Sequence, residues 1–182
     1  MVPRLLTLPD PALVVLVGVV GSGKSTFARR AFASTQVLST DVFRAMVADD
    51  GADLSASRAA FELLHRVAAL RLERGRLTVV DATNTWPDAR ADLVDLARVH
   101  GVPPVAVVLD VPPRICAERN RSRPDRRPVP EPALRRQRDR LRRSLSTLTD
   151  EGFSAVHVLT DEEAATATVE LVPPSERARW GP

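Results

Sequence analysis

The sequence predicts an α/β fold in which a parallel sheet of about five strands is flanked by helices. Two observations predict it: short apolar runs alternate with longer segments of helical periodicity, and a glycine-rich segment directly follows the first run. The composition agrees, because 44% hydrophobic and 27% charged residues are typical of globular chains. A length of 182 residues suggests one domain with a sizeable core.

The predicted strands are short, continuous apolar runs. Runs of this kind are typical of parallel strands that are buried on both faces of a sheet. One of the five, at residues 37–39, is weaker than the others because it is only three residues long. The predicted strands span residues 13–17, 37–39, 77–80, 105–109 and 155–159.

Helices are predicted between and after these strands. Gly75 and Gly101 are predicted to end two of them as C-terminal caps. The predicted helices span residues 24–32, 58–74, 88–100, 112–120, 132–149 and 162–172. The domain is predicted at residues 12–172, with an N-terminal arm at residues 1–11 and a C-terminal tail at residues 173–182.

Charge is concentrated in one part of the chain. The segment from Arg114 to Arg143 holds twelve arginines and four acids, a net charge of +8, which leaves −5 for the rest of a chain whose total is +3. This pattern fits either a solvated helix face or a surface for a polyanionic partner, and the sequence leaves both open. A single cysteine, Cys116, excludes an intramolecular disulfide framework and fits a reducing compartment. No apolar stretch is long enough for a membrane span, so a cytoplasmic protein without a membrane partner is expected.

Residues 18–25 form the pattern G-x-x-x-x-G-K-[ST] between a predicted strand and a predicted helix. Glycines let successive backbone N–H groups converge on phosphate oxygens, and the first helical turn adds the positive end of its dipole. The pattern predicts the P-loop NTPase fold, with ATP or another nucleoside triphosphate and Mg²⁺ as cofactors. The candidate nucleotide-binding residues are Gly18, Gly21, Ser22, Gly23, Lys24, Ser25 and Thr26.

Lys24 is the only lysine among the 26 basic residues of the chain. An ammonium on a flexible stem can reach the β and γ phosphates, where the planar fork of arginine would not fit. The sequence therefore predicts a catalytic role for Lys24, with the hydroxyl of Ser25 on the Mg²⁺.

Two aspartates follow predicted strands. Asp81 ends the apolar run 77–80 and is a candidate for contact with Mg²⁺ or its water, although many strands end in aspartate as a turn or cap residue. Asp41 follows the run 37–39 and is placed to take a proton from an acceptor hydroxyl. It is also a good N-cap for a helix beginning near Val42. Arg44, one turn further on, is a candidate for an acceptor phosphate.

A helical lid is predicted at about residues 114–130. Arg119 and Arg123 are four residues apart, so they can point together toward transferring phosphates and neutralise charge there. Pro124 and Pro128 are expected to stop the helix.

Taken together, four segments resemble the kinase domain of bacterial polynucleotide kinase-phosphatases. They are residues 21–28, 39–44, 77–84 and 118–126, and they occur in the order of that family. The resemblance implies transfer of the γ-phosphate of ATP to 5′-hydroxyl ends of RNA or DNA in nucleic-acid repair. The proteins of that family carry phosphatase and ligase domains after the kinase, and this sequence ends there. It is therefore expected to act alone, to use separate phosphatase or ligase proteins as partners, or to act on another acceptor.

The resemblance also implies roles for single residues. Lys24 and Ser25 match the contacts to the triphosphate and Mg²⁺, and Arg119 and Arg123 match lid arginines on the donor phosphates. Asp81 matches an aspartate for which only an indirect part in metal binding is expected.

On the acceptor side, the resemblance implies that Asp41 is the general base for the 5′-hydroxyl. Arg44 matches the contact to the nearest acceptor phosphate, and Thr83 and Asn84 are further candidates for substrate binding.

Two other functions remain open. A small-molecule kinase of the same fold would phosphorylate a sugar, an antibiotic or a nucleoside-like acceptor, and would need hydrogen-bonding groups in a closed pocket rather than arginines. A nucleotide-dependent switch would hydrolyse slowly and would need no acceptor base, so its function would survive loss of Asp41.

Overall fold

A computed structural model describes residues 3–123 and 128–173 of the chain. Within these ranges the central sheet has five strands, all parallel, in the order β3-β4-β2-β5-β6. A separate two-stranded parallel sheet pairs β1 with β7. The strands are β1 (Leu5–Pro9), β2 (Leu13–Val17), β3 (Val37–Ser39), β4 (Thr78–Asp81), β5 (Pro104–Leu109), β6 (Ala155–Leu159) and β7 (Thr168–Val172).

Helices connect the strands and flank the sheet. Three short 3₁₀ helices lie at Ser34–Gln36, Leu54–Ala56 and Leu148–Asp150. The α-helices are α1 (Lys24–Ala31), α2 (Thr40–Ala48), α3 (Ser57–Glu73), α4 (Pro87–Val99), α5 (Pro113–Arg121), α6 (Glu131–Leu145) and α7 (Asp161–Thr166). The five strands and the α/β architecture predicted from the sequence are therefore confirmed, with strand ends shifted by at most one residue.

The middle of the sheet forms the core. Every residue of β2, β4 and β5 is buried, which explains why these strands read as continuous apolar runs rather than as alternating patterns. Apolar stripes of the flanking helices complete the core, for example Ala60, Leu64 and Ala68 of α3. None of the helices in the described ranges is long and apolar enough to cross a membrane.

The helix predicted at residues 162–172 is wrong in its second half. Helix α7 ends at Thr166, and the β-branched residues after it form β7. Their partner is β1, whose Leu6 and Leu8 are buried and which lies within the expected arm at residues 1–11. A partner about 160 residues away stabilises the strand, and local periodicity contains no information about it.

Helix α6 is shorter than its predicted range of 132–149. It ends at Leu145, and the chain continues into the 3₁₀ helix Leu148–Asp150. The range predicted as a lid, about residues 114–130, covers most of α5 and the whole segment between α5 and α6. Residues 124–127 of this range, including Pro124, lie outside the described ranges. The same holds for residues 174–182 of the predicted tail.

Candidate active site

The topology of the sheet brings the predicted site residues to one edge. From β2 the chain crosses to β3 on one side, and it later reaches β5 on the other side of β2. In parallel sheets, ligands bind outside the carboxyl ends of strands at such a reversal. The glycine-rich loop follows β2, Asp41 follows β3, and Asp81 ends β4, so all three lie at this edge.

The loop after β2 requires glycine at two positions. Gly21 and Gly23 have φ angles of +83° and +91°, a left-handed conformation that residues with a side chain rarely adopt. A Cβ at Gly21 would also overlap the carbonyl oxygen of Cys116 in α5. Helix α5 therefore packs directly onto the loop, which explains why the start of the predicted lid is close to the nucleotide site.

Hydrogen bonds to neighbouring elements fix the first part of the loop at two points. The N–H of Gly18 donates to the carbonyl of Thr83 at 3.0 Å, which joins the loop to the turn after β4. The N–H of Val20 donates to Oε1 of Gln137 at 3.0 Å, which joins it to α6. The second contact could not be predicted from the sequence, because Gln137 is 117 residues from Val20.

Lys24 is buried at the start of α1 with 7% of its surface exposed. Its ammonium donates to the carbonyl of Val19 at 2.9 Å and to Oγ of Ser22 at 3.4 Å. Burial lowers the pKa of Lys24 from 10.5 to about 8, partly offset by the negative charge of Asp81. The site thus contains a cation whose charge is only partly compensated.

Asp41 and Arg44 contact each other in the first turns of α2. The guanidinium of Arg44 donates to the Asp41 carboxylate, and its Nε donates to the carbonyl of Gly51 at 2.8 Å. Arg44 is buried, with 8% of its surface exposed. Ser39 is the N-cap of α2, so the alternative in which Asp41 caps a helix near Val42 is wrong. Asp41 also influences the pKa of Lys24, which places the two groups in one electrostatic environment.

The turn after β4 carries Thr83 and Asn84. Asn84 has a φ angle of +45°, and its Nδ2 donates to the carbonyl of Leu16 in β2 at 2.8 Å. Its Oδ1 is buried and has no hydrogen-bond partner among the described residues. An acceptor atom left without a partner beside the glycine-rich loop fits a role in ligand contact.

Ser25 and Asp81 are the candidates for holding a magnesium ion through oxygen atoms. Asp81 is buried at the end of β4, and Ser25 follows Lys24 in the first turn of α1. Mg²⁺ prefers oxygen ligands and keeps several waters, so one hydroxyl and one carboxylate are a sufficient protein contribution.

Sequence reasoning missed Arg90, which lies in α4 with no exposed surface. Its Nε and Nη2 each donate to the Glu151 carboxylate at 2.6 Å. It also donates to the carbonyl of Asn84 at 2.8 Å and to Oγ of Ser144 in α6 at 2.9 Å. Arg90 thereby fixes the turn that carries Asn84. The sequence does mark Arg90 as unusual, because it falls on the apolar stripe of α4 formed by Leu93, Val94 and Ala97.

Arg119, one of the two arginines of the predicted lid, lies beside the loop. Nη1 of Arg119 is 3.9 Å from the position that a Cβ on Gly23 would occupy. Nη1 and Nη2 of Arg119 donate to the carboxylate of Asp161 at 2.6 and 3.1 Å, a partner that the sequence did not indicate. The positive charge of Arg123 contributes to lowering the pKa of Lys24.

Residues 13–148 of this chain match the family described as the AAA domain. No curated protein matches the sequence.

Among solved structures, the chain is similar to one from the Pnkp1/Rnl/Hen1 RNA repair complex, with 25% identity and a TM-score of 0.66. The match covers 76% of this chain and 46% of that chain, so this chain spans less than half of its relative's length.

Two other similar structures show the fold alone. Shikimate kinase from Acinetobacter baumannii has 18% identity and a TM-score of 0.55, covering 85% of this chain and 87% of that chain. A protein of the PezAT toxin-antitoxin system of Streptococcus pneumoniae has 13% identity and a TM-score of 0.62, covering 87% and 71%. The fold is thus that of the P-loop kinases.

Proposed function

This chain belongs to the AAA domain family, and we propose that it is an ATP-dependent kinase that transfers the γ-phosphate to 5′-hydroxyl ends of RNA or DNA. The observation that carries the proposal is the contact between Asp41 and Arg44 in the electrostatic environment of Lys24. A base in contact with an arginine suits an acceptor whose hydroxyl lies next to a phosphate.

On the donor side, the backbone N–H groups of the loop and the ammonium of Lys24 hold the phosphates of ATP. Ser25 and Asp81 would hold Mg²⁺, which when bound polarises the phosphoryl oxygens. Arg119 and Arg123 neutralise the charge of the transferring group. The lowered pKa of Lys24 fits this role, because the phosphates supply the negative charge that its burial leaves partly uncompensated.

On the acceptor side, the carboxylate of Asp41 accepts the proton of the attacking hydroxyl. The hydroxyl oxygen bonds to the γ-phosphorus as the bond between this phosphorus and the β–γ bridging oxygen breaks, and ADP leaves. Arg44 donates to the acceptor phosphate and contacts the carboxylate of Asp41. Thr83 and Asn84 contact substrate from the turn after β4.

Two observations favour a polynucleotide over a small neutral acceptor. Arg44 is a buried cation at the acceptor side, where a neutral sugar or antibiotic would need hydrogen-bonding groups instead. The second is the similarity to a chain of an RNA repair complex at 25% identity. That complex also motivates the proposal that separate ligase or phosphatase proteins act on the same ends.

The direct test is to incubate the protein with γ-labelled ATP, Mg²⁺ and an oligonucleotide that has a 5′-hydroxyl. We expect label on this oligonucleotide and none on the same sequence with a 5′-phosphate. Asp41→Asn and Lys24→Arg are each expected to lower transfer by about a thousandfold or more. Asp95→Asn, at an exposed aspartate of α4, is the matched control and should transfer normally.

The same assay separates the alternatives. ATP consumption with unlabelled oligonucleotide and a labelled sugar, antibiotic or nucleoside would establish a small-molecule kinase instead. ATP hydrolysis that is unchanged in Asp41→Asn, with no labelled acceptor, would establish a nucleotide-dependent switch.

A further inference from the structure

Helix α6 carries three arginines on one side, of which two are exposed and the middle one is half-buried. Arg136, Arg140 and Arg143 are spaced four and three residues apart, which places them on one helical face; we call them the arginine stripe. Among the residues that the structure describes, none of the three pairs with an acid. By helical geometry the stripe is about 10 Å long, enough for more than one phosphate of a nucleic-acid strand.

The stripe lies along the edge of the candidate active site. Gln137 and Ser144 share a face of α6 with Arg140, at three and four residues from it. Gln137 accepts a hydrogen bond from the phosphate loop, and Ser144 accepts one from Arg90, which in turn donates to Asn84. Hydrogen bonds therefore fix helix α6 both to the phosphate loop and, through Arg90, to the turn that carries Asn84.

An exposed tryptophan adjoins the stripe. Trp86 directly precedes α4, only two residues after Asn84, and 54% of its surface is exposed. The guanidinium of Arg140 lies 3.5 Å from the centroid of its ring. An exposed indole and a guanidinium in this stack offer flat surfaces to a base, whereas arginines alone would offer contacts to phosphates only.

We infer that the arginine stripe and Trp86 bind the single-stranded nucleic acid behind the end that is phosphorylated. Phosphates contact Arg136 and Arg143, and a base stacks on Trp86 and Arg140. The positive charge and the aromatic ring together favour a nucleic acid over an acidic protein or an anionic membrane, because only its exposed bases would use the ring. This inference rests on the proposed function for its substrate class. It adds a binding site outside the edge of the sheet where the phosphate loop, Asp41 and Asp81 lie.

Binding can be measured without turnover, with a 5′-phosphorylated oligonucleotide in the absence of ATP. The double variant Arg136→Ala/Arg143→Ala should bind at least about tenfold more weakly, and its affinity should depend less on salt by a slope of about 1.4, because two contacts to a single strand are lost. Arg135→Ala/Arg142→Ala removes the same charge at the same spacing from another side of α6 and should change affinity by less than about threefold. Equal weakening by the two double variants would overturn the stripe.

Stacking has its own readout. In a Trp180→Phe background, Trp86 is the only tryptophan, since the chain contains two. Its fluorescence should be quenched by a normal oligonucleotide but not by an abasic one of equal length, and Trp86→Leu should weaken binding of the normal one at least about fivefold. Equal quenching by both ligands would contradict a nucleic-acid site. So would tight binding of heparin or anionic vesicles that Arg136→Ala/Arg143→Ala weakens to the same extent as binding of the oligonucleotide.

Kinetics distinguish failure of this inference from failure of the proposed function. The stripe variant should raise KM for an oligonucleotide and leave kcat unchanged, and it should leave both unchanged for a nucleoside 3′-phosphate, which is too short to reach α6. If transfer depends on Asp41 but Arg136→Ala/Arg143→Ala leaves the KM for the oligonucleotide unchanged, the arginine stripe is not a binding site and the proposed kinase activity still holds. If binding of the oligonucleotide depends on the arginine stripe but no phosphate is transferred, the proposed kinase activity is wrong and the binding site still holds.

Discussion

Two of the buried cations in this protein, Arg90 and Lys24, are compensated in different ways. Arg90 has no exposed surface, and it meets the carboxylate of Glu151 through two hydrogen bonds of 2.6 Å. Lys24 is 7% exposed, and the described hydrogen bonds of its ammonium go to a carbonyl and a hydroxyl, which are neutral. The pKa of Lys24 falls to about 8, mainly because of burial.

The difference distinguishes Arg90, which holds a turn of the chain, from Lys24, which is placed to meet a phosphate. A buried charge that the chain itself neutralises contributes to a fixed geometry, here the turn at Asn84. A buried charge that the chain leaves partly uncompensated costs folding free energy, and a ligand of opposite charge recovers that cost on binding. On this argument Lys24 is preorganised for phosphate, and Arg90 is not available to any ligand.

The largest effect should come from breaking the compensated pair. Arg90→Ala is expected to lower the free energy of unfolding by about 3–5 kcal/mol, because Glu151 loses its partner and the carbonyl of Asn84 loses a donor. Urea denaturation measures this. The double variant Arg90→Met/Glu151→Leu should recover most of the loss, and a single variant that loses less than about 1 kcal/mol would mean that the pair does not hold the turn.

Removing the charge of Lys24 should change the free energy of unfolding in the opposite direction. Lys24→Met is expected to raise the free energy of unfolding at pH 7 by about 3 kcal/mol, which is the cost that the lowered pKa of Lys24 represents. The same variant should lose phosphate transfer. Destabilisation by Lys24→Met at pH 7 would contradict the view that the ammonium is a folding cost in the absence of nucleotide.

The pH dependence of stability gives a smaller and independent measure. Below pH 8 Lys24 is charged in both the folded and the unfolded chain, so its full cost is present. Between about pH 8 and 10.5 the unfolded chain binds more protons at this site, and the contribution of Lys24 to stability rises with pH. The difference in the free energy of unfolding between Lys24→Met and the wild type should therefore decrease by about 2 kcal/mol from pH 8 to pH 10.

Cys116 requires a control in this range. Burial raises the pKa of its thiol, and its charge interacts with Lys24. The two proteins are therefore best compared in a Cys116→Ala background. A gap that stays constant over this range would show that the pKa of Lys24 is not lowered.

The same contrast explains what could be predicted from the sequence. The parallel sheet and the phosphate loop were predictable because each is encoded locally, by apolar runs and by glycines around Lys24. The pairing of β1 with β7 and the bond between Arg90 and Glu151 join residues about 160 and 61 positions apart, and nothing near either partner in the chain specifies the other. Arg90 could be identified as unusual from its place on an apolar stripe, but its carboxylate could not.

The smallest effect should come from a third cation, which lies between the two cases. Arg119 makes two hydrogen bonds to Asp161, as Arg90 does to Glu151, but the side chains of Arg119 and Asp161 are 45% and 25% exposed. An exposed pair contributes little to stability, so Asp161→Asn should change the free energy of unfolding by at most about 0.5 kcal/mol.

Asp161→Asn should still slow transfer by about threefold to tenfold, because Arg119 beside Gly23 would lose the partner that orients it toward the donor phosphates. Single-turnover transfer at saturating ATP measures this, and Asp161→Glu should restore part of the rate. A rate unaffected by Asp161→Asn, together with a strong loss in Arg119→Ala, would mean that Arg119 finds the phosphates without a fixed partner. Exposure alone would then decide which arginines of this protein can serve a ligand.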